Sequence, residues 1–333
     1  MTNIVVVGFG AMGTKTIEEL NKKETVHVKA VIDTNPMYKG KFTNDYIKDN
    51  KQIPIYNSLE DIEWKDVELA IVTSASFLIQ IEPLLVELAN KEVNILTIAE
   101  EMSYPEATNK EIADKLNKLA LNKNITILGT GINPGFILDL FIIVLSNTCL
   151  NINEIKATRV NDLSEFGTTV LRSQGVGLSV KEFEEDVRSK KVVGHVGFAQ
   201  SIHLIAKAFK WELIRLKEEK EPIITNEKVT VQGEIIDKGN VIGCNHKAVA
   251  HFKNNKVITF EHPQQVCANN YPETKDEVEI QGVPNIKVKI EPEIPGGIGT
   301  VAMIINMIPL IIESQAGLIN ILDLPRLPSI FNE

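Results

Sequence analysis

Short apolar runs at residues 4–7, 26–32, 69–73, 93–98 and 125–128 alternate with stretches of helical spacing at 14–22, 77–90 and 104–121. Runs of this length, rich in Val and Ile and bounded by turn residues, read as buried strands, and their alternation with helices predicts a parallel, doubly wound sheet. Around 129–136 the pattern changes to a turn-rich stretch, followed by an apolar helix at 135–145. Beyond it the strands are longer and more widely spaced, at 155–160, 229–236, 241–252, 256–262 and 286–290, with helices at 180–190 and 197–209. Such spacing predicts an α+β region whose open mixed sheet is covered on one face. Residues 300–312 form a helix apolar on nearly all sides, expected to be buried at a domain junction. The expected division is 1–135 for the doubly wound domain, 136–295 for a second domain that binds substrate and dimerises, and 296–333 for a C-terminal helix and tail packing back.

The first turn carries chemistry. Gly8, Phe9, Gly10, Ala11, Met12 and Gly13 follow the first strand and open a helix. In this G-x-G-x-x-G spacing the first glycine makes the turn, the second leaves room for a pyrophosphate, and the third lets helix and sheet approach. The second strand ends at Asp33, about twenty residues further on, where an acid accepts hydrogen bonds from ribose hydroxyls and repels a 2′-phosphate. A Rossmann domain for NAD is therefore expected, with NADP left open by Thr34 and Asn35. Thr73, Ser74 and Ala75 end the strand that lines the nicotinamide side of the sheet edge, and Asn306 is a further cofactor candidate.

Composition narrows the partners. The net charge of −9 disfavours a nucleic-acid surface, which needs clustered Lys and Arg. No run of eighteen apolar residues suggests a membrane span, and the chain starts on a strand, so a cytoplasmic protein is expected. Cys149, Cys244 and Cys267 are scattered and read as reduced thiols, and neither they nor the histidines have metal-ligand spacing.

Glu100 and Glu101 follow an apolar strand and so lie at the carboxyl edge of the sheet, where ligands bind. One reading makes one of them a helix cap; the other makes it a general base whose pKa is raised by apolar walls. Asn133 stands in the turn at the same edge, a cofactor-binding candidate or simply part of a strand-to-helix turn, and Tyr104, Phe136 and Phe141 could wall a substrate pocket or simply be core. Arg159 and Arg172 offer forks for a substrate carboxylate, against the plainer reading of solvated surface arginines. Thr168 and His195, the latter between Gly194 and Val196-Gly197, complete the substrate-side candidates. No nucleophile elbow and no phosphate loop with a lysine are found, which leaves hydride transfer.

The segments Gly8-Phe-Gly-Ala-Met-Gly13, Glu100-Glu101-Met-Ser-Tyr-Pro105, Gly131-Ile-Asn-Pro-Gly-Phe136, Gly194-His-Val-Gly197 and Pro295-Gly-Gly297 together resemble the 2,4-diaminopentanoate dehydrogenase family, which includes native amine dehydrogenases. The resemblance spans nearly the whole chain. It implies a fold like dihydrodipicolinate reductase, a homodimer, and NAD(P)-dependent oxidative deamination of an amine or diamino acid. It also implies a glutamate of the Glu-Glu pair as acid/base, with Phe136, Phe141 and Arg159 near the substrate. Ala99 and Gly299-Thr300 depart from the family pattern, which often has a cysteine and an acid there. The rival activities are an imine or semialdehyde reductase and a non-catalytic NAD(H) sensor.

Overall fold

The structure, a computed structural model, describes residues 1–48, 50–267, 272–327 and 329–331. It divides into two units, residues 1–136 with 296–333 and residues 137–295.

The first unit runs β1 (Thr2–Val7), α1 (Ala11–Leu20), β2 (Val26–Ile32), β3 (Ile55–Tyr56), β4 (Leu69–Val72), α2 (Leu78–Asn90), β5 (Asn94–Thr97), α3 (Lys110–Lys123) and β6 (Thr126–Gly129). The second unit follows with α4 (Leu140–Ser146), β7 (Asn151–Asp162), α5 (Thr168–Ser173), α6 (Val180–Arg188), α7 (Phe198–Phe209) and β8 (Leu213–Ile224). It continues through β9 (Val229–Val231), β10 (Glu234–Ile236), β11 (Val241–Phe252), β12 (Lys256–Gln265), β13 (Lys275–Val283) and β14 (Ile286–Ile290). The chain then returns to the first unit with α8 (Gly296–Glu313) and β15 (Gly317–Ile319).

All pairings in the first sheet are parallel, in the order β15-β6-β5-β4-β1-β2-β3. The strand order reverses beside β1 and β4, and a ligand crevice opens at the carboxyl ends of strands at such a switch point. Strand residues such as Val5, Ala70 and Ile95 join Ile81, Leu85 and Leu88 of α2 and Leu116 of α3 in one buried core. Helix α8 packs against α1, β5 and β6, which accounts for its apolar character: Val301, Ile304, Ile308 and Ile311 are buried. At 18 residues it is long and apolar enough to cross a membrane by length and composition, and half of it is instead buried within the protein.

The second sheet has the order β14-β13-β7-β12-β11-β8, with β7 parallel to β12 and the other pairs antiparallel. Two of its strands escape the apolar pattern. β8, Leu-Ile-Arg-Leu-Lys-Glu-Glu-Lys-Glu-Pro-Ile-Ile, is an edge strand largely open to solvent, where charged residues and proline discourage further pairing. β13 buries Asp276, Val278 and Ile280 on one face, an alternation diluted by its own acid. The expected strand 229–236 is a tight hairpin instead, because Gln232 and Gly233 both take positive φ, 50° and 80°.

Helix boundaries also move. Residues 100–107 form two 3-10 turns, and α3 starts only after Asn109, whose Oδ1 accepts a hydrogen bond from the Ile112 amide at 3.1 Å. The helix expected from 135 begins at Leu140, where the Asp139 carboxylate accepts from the first amide.

Candidate functional site

The glycine turn is built by sterics. Gly8 has φ +105°, a region unfavourable for side chains, and a Cβ on Gly13 would stand 2.0 Å from the Gly8 carbonyl oxygen. Gly10 differs: nothing lies within 4 Å of where its Cβ would be, and no side chain caps α1. Open space in front of unsatisfied helix amides fits a dinucleotide pyrophosphate. Ala11 and Met12 form the first turn of that helix. Thr73 donates its hydroxyl to the Gly8 carbonyl at 3.0 Å and so braces the turn from β4; Ser74 and Ala75 continue along the edge, Ala75 with φ 59°.

Asp33 ends β2 with its Oδ2 accepting from the Phe9 amide at 2.7 Å and its Oδ1 from the Asn35 amide at 2.8 Å. Thr34 is exposed between them. Phe9, Tyr38 and Tyr46 meet edge to face, with ring centroids 5.0–5.9 Å apart, and wall this side of the turn. Asn306 is a correction to the cofactor set. Its Oδ1 accepts from the Phe331 amide at 2.9 Å, in a cleft shared with Glu18, Glu19 and Lys23, at and beyond the C-terminal half of α1. It therefore holds the C-terminal tail, away from the helix start where phosphates bind.

β4, β5 and β6 are neighbours, so the residues after Val72, Thr97 and Gly129 share one edge. Here the structure separates the two adjacent acids. Glu101 Oε2 accepts from the Leu78 amide at 2.6 Å and so caps α2, whose N-cap residue Phe77 supplies no side-chain bond. Glu100 caps nothing. Burial raises its pKa above the usual carboxylate range, opposed by hydrogen bonds from its own backbone and from Ser76 and reinforced by Glu101. Its turn is held in place by Gly129, where a Cβ would fall 2.2 Å from the Met102 carbonyl.

At the same edge Thr130 Oγ1 and both amide atoms of Asn133 are buried without a hydrogen-bond partner. Buried polar atoms are rarely left unpaired, and here they are consistent with a polar ligand. Tyr104 lies partly buried just after Ser103, and burial, then Glu106 and Asp323, raise its pKa. Phe136 is partly buried where the first unit ends.

In the second unit the strand register aligns side chains on the buried face of the sheet. Ile155 of β7 pairs with Ile258 and Ile280, and Ala157 with Phe260 and Val278. One step further the face turns polar, where Arg159 stands opposite Asp276, and His246 opposite His262. Phe198, at the start of α7, covers the boundary, 5.8 Å from the Phe260 ring and 4.9 Å from that of His246.

Arg159 is 1% exposed, so it is neither a surface arginine nor an open fork. Nη1 donates to Asp276 Oδ1, Nη2 to the Ile294 carbonyl at 2.7 Å, and Asp276 Oδ2 accepts from the Ile294 amide at 2.9 Å. Two of its N–H donors are thus used within the protein, and a substrate carboxylate would have to share the guanidinium with Asp276. Arg172 and Thr168 lie exposed on α5, and Phe141 is partly buried on α4.

His195 donates its amide to His246 Nδ1 at 3.0 Å, and its own Nε2 is buried without a hydrogen-bond partner. The close approach permitted by Gly194 is to the His246 ring, 3.0 Å from a Cβ built there. His262 donates Nδ1 to the Arg159 carbonyl at 2.8 Å. Burial, and then the Arg159 charge, lowers the His262 pKa to about 3; burial and the neighbouring His262, His246 and Arg159 hold His195 well below its ordinary value. Both rings are neutral near pH 7.

Asn161, His262, Asp276 and Glu293 are not reached from the sequence. The signal available is one of phase: Arg159 and Asn161 continue the alternation that buries Ile155 and Ala157. Asn161 Nδ2 donates to Glu293 Oε1 at 2.9 Å, and burial raises the Glu293 pKa from 4.5 to about 7 against the pull of Arg159. A carboxyl whose folded pKa is raised stabilises the fold fully below 4.5, and this contribution is lost as pH rises to about 7. The melting temperature of wild type minus that of Glu293→Gln should therefore fall by several degrees, on the order of 2–4 °C per kcal/mol, between those limits. A constant difference across that range would contradict the raised pKa.

Residues 136–333 match the family described as the 2,4-diaminopentanoate dehydrogenase C-terminal domain. The chain belongs to the 2,4-diaminopentanoate dehydrogenase family. It is 37% identical to a 2,4-diaminopentanoate dehydrogenase of Acetoanaerobium sticklandii, over 97% of this chain and 93% of that protein. It is 22% identical to an amine dehydrogenase of Streptomyces virginiae, over 99% and 98% of the two chains. The solved amine dehydrogenase of Mycobacterium smegmatis shares the fold, with a TM-score of 0.88 at 24% identity and coverage of 98% and 97%. Residues 1–100 match a family described as a CoA binding domain, a match that falls on β1 to β5 of the parallel sheet. As a member of the diaminopentanoate dehydrogenase family, the chain is an oxidoreductase.

Proposed function

We propose that this protein catalyses the NAD(P)-dependent oxidative deamination of 2,4-diaminopentanoate to 2-amino-4-oxopentanoate and ammonia, and the reverse reductive amination. The substrate follows the relative named for it, 37% identical over nearly the whole chain. The observation that carries the chemistry is Glu100, a carboxyl with a raised pKa at the carboxyl edge of the nucleotide-binding sheet, free of the capping role that occupies Glu101. When bound, the nicotinamide accepts the hydride. Glu100 takes the proton from the substrate ammonium and passes it to solvent, giving the neutral amine a lone pair that supports hydride loss; the freed carboxylate then removes a proton from the water that attacks the iminium and returns it to the carbinolamine nitrogen as ammonia leaves. Asn133 and Thr130 offer unpaired polar atoms to hold the reacting nitrogen or the water. A homodimer working in the cytoplasm belongs to the same proposal and rests on the family resemblance.

NAD is the preferred dinucleotide in this reading. The Asp33 carboxylate accepts from the Phe9 and Asn35 amides at the end of β2, and an acid at that position in a dinucleotide fold repels a 2′-phosphate. Asp33→Ser should shift the ratio of kcat/KM for NAD over NADP toward NADP by about 10-fold or more, about 1.4 kcal/mol or more. An unchanged ratio would remove Asp33 from cofactor choice.

The deciding experiment is NADH or NADPH formation by the purified protein with 2,4-diaminopentanoate and with 2-aminobutane at mildly alkaline pH. Turnover of the diamino acid with ammonia release supports the proposal; silence with both amines overturns it.

A further inference from the structure

We propose that Asn57 is a positioning residue for the choice of dinucleotide: its side-chain amide anchors residues 33–35 and so holds the Asp33 carboxylate in place against a 2′-phosphate. The inference rests on the reading of Asp33 given above and names what keeps that acid from turning away.

Asp33 lies where the sheet runs out. The ladder between β2 and β3 pairs Val31 with Ile55 and Ile32 with Tyr56, and it ends with the Asp33 amide donating to the Tyr56 carbonyl at 2.9 Å. Residues 34–37 beyond it are exposed, and among the described residues no strand pairs with them. Asn57, the residue after β3, continues the attachment where the backbone ladder stops. Its Nδ2 donates to the Asp33 carbonyl at 2.6 Å and to the Asn35 carbonyl at 3.0 Å. Two carbonyl acceptors require the nitrogen end of the amide on this side. Oδ1 is buried without a hydrogen bond, so the bonding of this side chain goes to the one loop.

The two carbonyls bracket the peptide that holds the acid. Between them lies the Asn35 amide, which donates to Asp33 Oδ1 at 2.8 Å, while Oδ2 accepts from the Phe9 amide of the glycine turn at 2.7 Å. The next bond along, from the Met37 amide to Asn35 Oδ1 at 3.1 Å, stays within the loop and ties nothing to the sheet. A 2′-phosphate beside an ionised Asp33 meets a like charge, and relief requires the carboxylate to swing outward. That swing breaks the bond to the Asn35 amide or takes the loop with it. Asn57 opposes both, because it fixes the segment on either side of that amide. A side chain of similar size without donors would leave the two carbonyls to water and free the loop to carry Asp33 outward.

The test is binding of NADH and NADPH to the full chain, followed by nicotinamide fluorescence, in wild type, Asn57→Leu, Asn57→Ser, Asp33→Ser and the double variant Asp33→Ser with Asn57→Leu. No amine is present, so the result is independent of the amine-oxidising reading. The dissociation constant for NADPH divided by that for NADH should fall by about 5-fold or more in Asn57→Leu, about 1 kcal/mol or more. Asn57→Ser, whose donor is too short to span both carbonyls, should move the ratio in the same direction and decides the matter if Asn57→Leu does not fold. In the Asp33→Ser background Asn57→Leu should change the ratio by less than about 2-fold, since no carboxylate is left to hold. An unchanged ratio in the Asn57 variants, equal weakening of both dinucleotides as a merely structural role would give, or an undiminished shift in the Asp33→Ser background overturns the assignment. A shift in Asp33→Ser with none in Asn57→Leu removes Asn57 and leaves the reading of Asp33 standing. An unshifted ratio in Asp33→Ser overturns that reading, and the assignment with it.

Discussion

Glu100→Gln is expected to lower turnover by about 10²-fold or more while dinucleotide binding, followed by fluorescence, persists. Gln keeps the size and one acceptor but cannot take a proton at the substrate nitrogen or the water. The neighbouring Glu101→Gln should behave differently. It weakens the charged bond to the Leu78 amide, costing roughly 1 kcal/mol of stability as lost caps do, with less than about a tenfold change in rate. The pH profile gives the same contrast. Because burial raises the Glu100 pKa, the rising limb of kcat should lie above the usual carboxylate range and vanish in Glu100→Gln. A crippled Glu101→Gln beside a near-normal Glu100→Gln would reverse the assignment.

Asp276→Ala is expected to destabilise the protein by about 3–5 kcal/mol, the range for removing one partner of a buried ion pair. Arg159 would keep its charge at 1% exposure, with Ile294 and the more distant Glu293 as its remaining neighbours. Removing both partners, as Arg159→Met with Asp276→Leu, should recover much of that loss, since apolar groups of similar volume can replace a buried pair. Urea midpoints for the single and double variants measure both quantities. A loss under about 1 kcal/mol in Asp276→Ala would mean that Glu293 takes over as the counter-charge. Asp276 also repels Glu293, so its removal should lower the Glu293 pKa and move the midpoint of the pH-dependent stability below 7.

The parts of the site legible in the sequence are those set by local rules. Gly8, Gly10 and Gly13 are spaced by what a strand-to-helix turn tolerates, and the structure gives each a distinct steric reason. The Glu100-Glu101 pair can be placed at the sheet edge from the preceding apolar run alone. Which of the two is the cap depends on where the α2 amides lie, since Leu78 is 23 residues away in the chain. Asn306 is misplaced by sequence for a similar reason: on a helix apolar nearly all round, the partner of one polar residue is set by what packs there, and here it is the tail. The edge strand β8 escapes sequence reading because solvent exposure along its length removes the alternation that reveals a strand.

The sequence by itself determined the parallel doubly wound sheet, the dinucleotide turn and the family, since hydrophobic period and glycine sterics act within a few residues of one another. Only the tertiary structure decided the charge partners. Arg159 meets Asp276 across 117 residues and Asn161 meets Glu293 across 132. Strand register brings Arg159 and Asp276 together, and burial makes both pairings matter, because a charge removed from water must find its partner wherever the fold places it.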